Sequence, residues 1–84
     1  MGKKEKFIQK LLAGRSDTNI PFSGLVTLLE SLGFDHRQKG SHHILTKSGV
    51  TERINLQDSG GNAKGYQVRQ VRKVLVENGL IENE

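Results

Sequence analysis

The chain has 84 residues, of which 13 are basic and 9 acidic, for a net charge of +4, with 33% hydrophobic residues, ten glycines and no cysteine. Chains of this length bury only about 60% of the surface their unfolded form exposes, so one thin core is expected and a deep pocket for a large cofactor is not. The missing thiols exclude disulfide scaffolds, iron–sulfur clusters, thiolate zinc sites and cysteine nucleophiles, while no apolar run approaches the roughly 18 residues of a membrane span and no signal peptide is visible, which points to a cytoplasmic domain with no membrane partner.

Residues 3–13 read as an amphipathic helix: Phe7, Ile8, Leu11 and Leu12 share one face, and Gly14 is a stop. Residues 15–21 are polar and end in the chain's one proline, so they read as a linker. Residues 1–22 thus form an N-terminal helix and linker ahead of a compact module at 23–81. In that module Ser23 is placed as the N-cap of a second helix carrying Leu25, Val26, Leu28, Leu29 and Leu32. Gly33 stands at C′, and Phe34 should fold back on Leu29 in a Schellman ending.

Three short strands follow, at 35–39, 42–47 and 50–56. Gly40-Ser41 and Ser48-Gly49 turn between them, and such short turns force antiparallel neighbours. Ile54 and Leu56 alternate with Arg53 and Asn55, the pattern of a sheet with one buried face. Residues 57–65 are a polar, glycine-rich loop. The last helix spans 66–78 with a stripe of Val68, Val71, Val74 and Leu75, and Gly79 with Leu80 repeats the ending of the second helix. Tyr66 is expected to pack under the loop, and residues 82–84 to fray as an acidic tail. The result is an α+β fold: a three-stranded antiparallel meander with helices on one face and an open second face, where function is expected.

All three histidines fall between positions 36 and 43, and the stretch from His36 to Lys47 holds Arg37, Lys39 and Lys47 but no acid. Adjacent strand residues point to opposite faces, so His43 and Leu45 belong on the helix-covered face and His42 on the open one. His43 then reads as a partly buried histidine with a hydrogen-bonded tip. For His42 two readings stand: a solvent-facing residue with no role, or an acid–base group, since an imidazole titrates near neutrality. A metal site is not expected, because neighbours on opposite faces are poor co-ligands and no helix carries a His-x-x-x-His pair.

RNA cleavage suits a small domain without metal or cofactor, because the substrate brings its own 2′-hydroxyl nucleophile. The protein supplies a proton acceptor and cations for the developing phosphate charge. Arg37, Lys39 and Lys47 are candidates for that charge, as are Arg69, Arg72 and Lys73 on the last helix; each is read equally well as a solvated surface group. The Gly60-Gly61 loop with Lys64 lacks the Gly-Lys-Ser/Thr ending of a phosphate-binding P-loop and reads as a flexible loop.

These residues together resemble the HicA family, the toxin half of bacterial HicA–HicB toxin–antitoxin pairs. The resemblance is carried by Leu32-Gly33-Phe34, Gly40-Ser41-His42-His43-Ile44, Ile54-Asn55-Leu56, the Gly/Lys loop to Gly65, and Val74-Leu75 to Gly79-Leu80. It covers about residues 23–81. The departures are Leu45, where many members have an aromatic, a shorter step from Gly33-Phe34 to Gly40-Ser41, and the helix at 3–13, which extends the family module. The resemblance implies a fold like a double-stranded-RNA-binding domain, α-β-β-β-α, and an mRNA interferase that cleaves mRNA without the ribosome. It also implies a HicB-type antitoxin partner and a catalytic role for the histidine directly after Gly-Ser, His42. Gly40 and Ser41 would shape the approach to it, with Arg37, Lys39, Lys47, Lys64, Arg69, Arg72 and Lys73 along the RNA. A non-catalytic RNA-binding or protein-interaction module of the same fold is the alternative, and a DNA-binding domain using the last helix is a third.

Overall fold

The computed structural model describes residues 2–81. In chain order it contains α1 (Lys3–Ala13), a 3₁₀ turn (Asp17–Asn19), α2 (Phe22–Ser31), β1 (Asp35–Lys39), β2 (His42–Lys47), β3 (Val50–Leu56), a small hairpin of β4 (Asp58–Ser59) and β5 (Asn62–Ala63), and α3 (Gly65–Glu77). The fold is α+β. β1, β2 and β3 form an antiparallel sheet in that order, consistent with a double-stranded-RNA-binding-domain-like α-β-β-β-α arrangement preceded by an extra helix. The acidic tail expected at 82–84 lies outside the described residues.

The strand limits follow from the turns. Gly40 and Gly49 adopt φ of +61° and +90°, a region that side chains with a Cβ rarely visit. That conformation matches a tight hairpin to the twist of its strands. Both helix endings also form as their sequences require. Gly33 takes φ +96°, its N–H donates to Glu30 O at 3.0 Å, and Phe34 N–H donates to Leu29 O at 3.1 Å. At the end of α3, Leu80 N–H donates to Leu75 O at 2.9 Å in the same pattern.

Several local expectations change. Ser23 does not cap α2: the helix starts one residue earlier, at Phe22, with Leu25 N–H donating to Pro21 O and no side chain capping the end. α3 begins at Gly65 rather than at Tyr66. The glycine-rich segment is not a free loop. It folds as the β4–β5 hairpin, with Asp58 Oδ1 accepting the Gly61 N–H at 2.7 Å. Phe22 N–H donates to Gly61 O, and Ala63 N–H donates to Ile20 O, each at 3.0 Å, so this hairpin is sewn to the segment before α2. Ile20, in the stretch read as a polar linker, is fully buried there.

The helices cover one sheet face. Leu45, Ile54 and Leu56 from the sheet meet Leu25 and Leu29 of α2 and Val68, Val71 and Leu75 of α3 in one core. α1 joins the same core: Leu11 is fully buried, and the Phe7 ring lies so close to Gly24 that a Cβ there would stand 2.8 Å from it. Arg72 of α3 locks the arrangement. Its guanidinium donates to Leu11 O at 3.1 Å and to both Asp17 carboxylate oxygens at 2.8 and 3.2 Å. The hydrogen bonds to Asp17 hold the Arg72 pKa above its ordinary value.

Candidate functional site

The register of the sheet arranges its uncovered face as a grid. Lys39 lies directly opposite His42, Arg37 opposite Ile44 and Ile44 opposite Asn55, while Asp35 lies opposite Thr46. Side chains paired in this way stand about 5 Å apart at Cβ. Arg53 follows two residues before Asn55 on the same face by strand parity. Asp35, Arg37, Lys39, Ile44, Thr46 and Arg53 line one shallow depression here. Every side chain of this grid is exposed except Ile44, which is half-buried.

Among the described residues His42 has one hydrogen-bond partner. Its Nδ1 lies 3.1 Å from Asn55 Oδ1, diagonally across the β2–β3 pair. A carbonyl-type oxygen can only accept, so Nδ1 carries the hydrogen. In the neutral ring Nε2 is then left with its lone pair free for a proton. The amide orients the ring without adding a negative charge. Lys39, opposite, brings a cation beside it. The turn that launches the strand is held by Gln38 Nε2, which donates to Gly40 O at 3.2 Å, and Ser41 is exposed at its tip.

His43 and Leu45 lie on the covered face, as their parity requires. Leu45 is fully buried, and the His43 ring meets the edge of Phe22 with centroids 4.7 Å apart. Its Nδ1 is 2.9 Å from His36 Nε2, and His36 Nδ1 in turn is 3.6 Å from Glu30 Oε2. Glu30, His36 and His43 therefore form a line of polar contacts between α2 and the sheet. Glu30 and His43 sit at opposite edges of the His36 ring, so the three groups do not converge on one point where a metal ion would sit.

The structure gathers some of the sequence-derived candidates and separates others. Arg37, Lys39, Gly40, Ser41 and His42 share the open face and the turn at its end. Lys47 does not join them: past an irregularity in the β2–β3 pairing, its Nζ lies 2.7 Å from where a Cβ on Gly33 would stand, beside the end of α2. Arg72 is engaged with Asp17 and Leu11. Lys64 precedes α3, while Arg69 and Lys73 lie on its exposed side, across the core from the open sheet face. Sequence reading missed Arg53 and Asn55 as members of the site. The signal was present in their alternation with Ile54 and Leu56, which puts both on the face of His42.

No curated protein and no solved structure matches the chain. A family model described as HicA toxin of bacterial toxin–antitoxin matches residues 22–80, which is most of the chain and includes every residue of the open-face grid. With α2, the three strands and α3 all inside that match, the chain belongs to the HicA family of toxins from bacterial toxin–antitoxin systems.

Proposed function

We propose that the protein is an mRNA interferase, a metal-independent endoribonuclease that works in the cytoplasm and is restrained by a HicB-type antitoxin. RNA lies across the open sheet face. His42 Nε2 takes the proton of a ribose 2′-hydroxyl, whose oxygen attacks the adjacent phosphorus. The bond from phosphorus to the 5′-oxygen breaks, leaving a 2′,3′-cyclic phosphate on one fragment and a 5′-hydroxyl on the other once that oxygen gains a proton. Lys39, Arg37 and Arg53 face the phosphate and stabilise the charge that builds on it. Asn55 keeps Nε2 as the basic nitrogen of His42. Lys64, Arg69 and Lys73 are suited to more distant phosphates.

The observation that carries this reading is the contact between His42 and Asn55 on an exposed strand, with Lys39 directly opposite. The test is cleavage of one RNA and of the same RNA with a single 2′-deoxy substitution at the cut site. The expected result is loss of cutting at the substituted position, and a fall of about 10²–10⁴-fold in rate for His42→Ala. Equal cutting of both RNAs, or an undiminished His42→Ala variant, would show that the mechanism is wrong.

A further inference from the structure

Tyr66 is the one large apolar side chain among the described residues that remains exposed, at 57%. It does not pack under the glycine-rich segment as its position suggested. The apolar stripe of α3 runs through Val68, Val71, Val74 and Leu75, and position 66 falls on the other side with Arg69 and Lys73. Solvent exposure does not leave the ring without a support. Its hydroxyl accepts from Gln67 Nε2 at 3.4 Å, and Oε1 of the same amide accepts the backbone N–H of Gln57 at 3.0 Å. Gln67 is 4% exposed, the one buried polar side chain among the described residues. Gln57 follows the last residue of β3 and stands two residues after Asn55, the partner of His42. One buried amide thus ties the Tyr66 ring to the end of the sheet that carries His42.

We propose that Tyr66 is a stacking platform for a nucleobase of the bound RNA, on the part of the strand that runs past Lys64 and Arg69, away from the nucleotide that is cut. The inference rests on the RNA-cleaving reading above. Bases of single-stranded RNA are held on aromatic faces, and the contact tolerates any base because each has a π-face. The surroundings suit such a strand. Lys64 lies two residues before the ring and Arg69 one helical turn after it, both exposed, so cations stand along the chain on either side of the aromatic. A fixed ring costs less ordering on binding than a free one, which gives the Gln67 bracket a use beyond satisfying Gln57.

The chain has one Tyr and no Trp, so the Tyr ring signals in a proton spectrum belong to this residue alone. Titrating a short RNA into the His42→Ala form, where the substrate stays whole, should move those signals upfield through the ring current of the stacked base. Removing one base at a time along the RNA should abolish the shift at a single position, set apart from the cut site. Affinity for the same RNA should fall about 5- to 100-fold in Tyr66→Ala and in Tyr66→Leu, while Tyr66→Phe stays within about twofold. Thermal midpoints of the three variants verify that each is folded. The inference is overturned if RNA binds without moving the ring signals, or if Tyr66→Ala binds RNA like its parent. It is also overturned if Tyr66→Ala loses only a protein partner. If the parent neither binds nor cuts RNA, the function proposed above fails at the same time, and that failure is visible in the parent without any change at Tyr66.

Discussion

His42 is oriented by an amide and not by a carboxylate. The hydrogen bond to Asn55 Oδ1 fixes which ring nitrogen carries the hydrogen and brings no negative charge to the ring. On the proposed mechanism, replacing Asn55 with Ala should lower kcat about 10- to 100-fold with little change in KM, because the ring loses its orientation while the cations assigned to the phosphate remain. Asn55→Asp should recover part of that loss. The added negative charge stabilises imidazolium, so the acid limb of its kcat/KM profile should move to higher pH; a profile that overlays the parent's would show that residue 55 does not act through His42. The place of His42 on the open face was legible from its parity. Asn55 was not, because its contact is diagonal across two strands, and the register that creates it depends on where the pairing slips between Leu45 and Lys47. The same register sets Lys47 apart from the other basic residues.

At the scale of elements, legibility followed the strength of the local signal. β1, β2 and β3 are bounded by two-residue turns whose glycines require a left-handed backbone, so their limits are written in the chain. β4 and β5 are two residues each, too short for any alternation to show, and they exist because the hairpin bonds to Ile20 and Phe22. A similar long-range link joins β3 to α3. Glu52 Oε1 accepts from Asn78 Nδ2 at 3.5 Å and from Thr51 Oγ1 at 3.2 Å. Its carboxyl is held below the usual range chiefly by its own backbone amide, against a slight opposing effect of burial, and further by Asn78, Thr51 and the charge of Lys73. A depressed carboxylate contributes its stability above its ordinary value of about 4.3 and loses it as pH falls through the depressed one. The parent should therefore be slightly more stable than Glu52→Gln at neutral pH, and the difference should close below about pH 4. Thermal unfolding of the pair across that range measures it; a difference that widens on acidification would contradict the assignment.

The whole molecule is organised around one core that reaches beyond the family match. That match begins at residue 22, but Leu11 and Ile20 are both fully buried, and Arg72 reaches back from α3 to Leu11 and Asp17. The amphipathic stripe of α1 was readable, whereas its docking place was not, since a stripe states only that some surface must be covered. Leu11→Ala should cost about 3 kcal/mol in denaturant unfolding, with the loss appearing in a single transition. A separate early transition would instead show that α1 comes away from a core that holds without it.

The open sheet face carries the proposed chemistry, and the core lies entirely on the other side. His42, Lys39, Arg37 and Asn55 are exposed and contribute nothing to the buried cluster. With the proposed site there, function and folding would be independently mutable in this chain. If His42 is the base proposed above, one codon change there disarms the toxin while leaving its shape and remaining surface intact. Such a harmless copy would still engage an antitoxin that recognises the fold, and would draw it away from active copies in the same cell. Loss of activity would then not be loss of influence: a protein disarmed in this way would become a competitor for its own inhibitor.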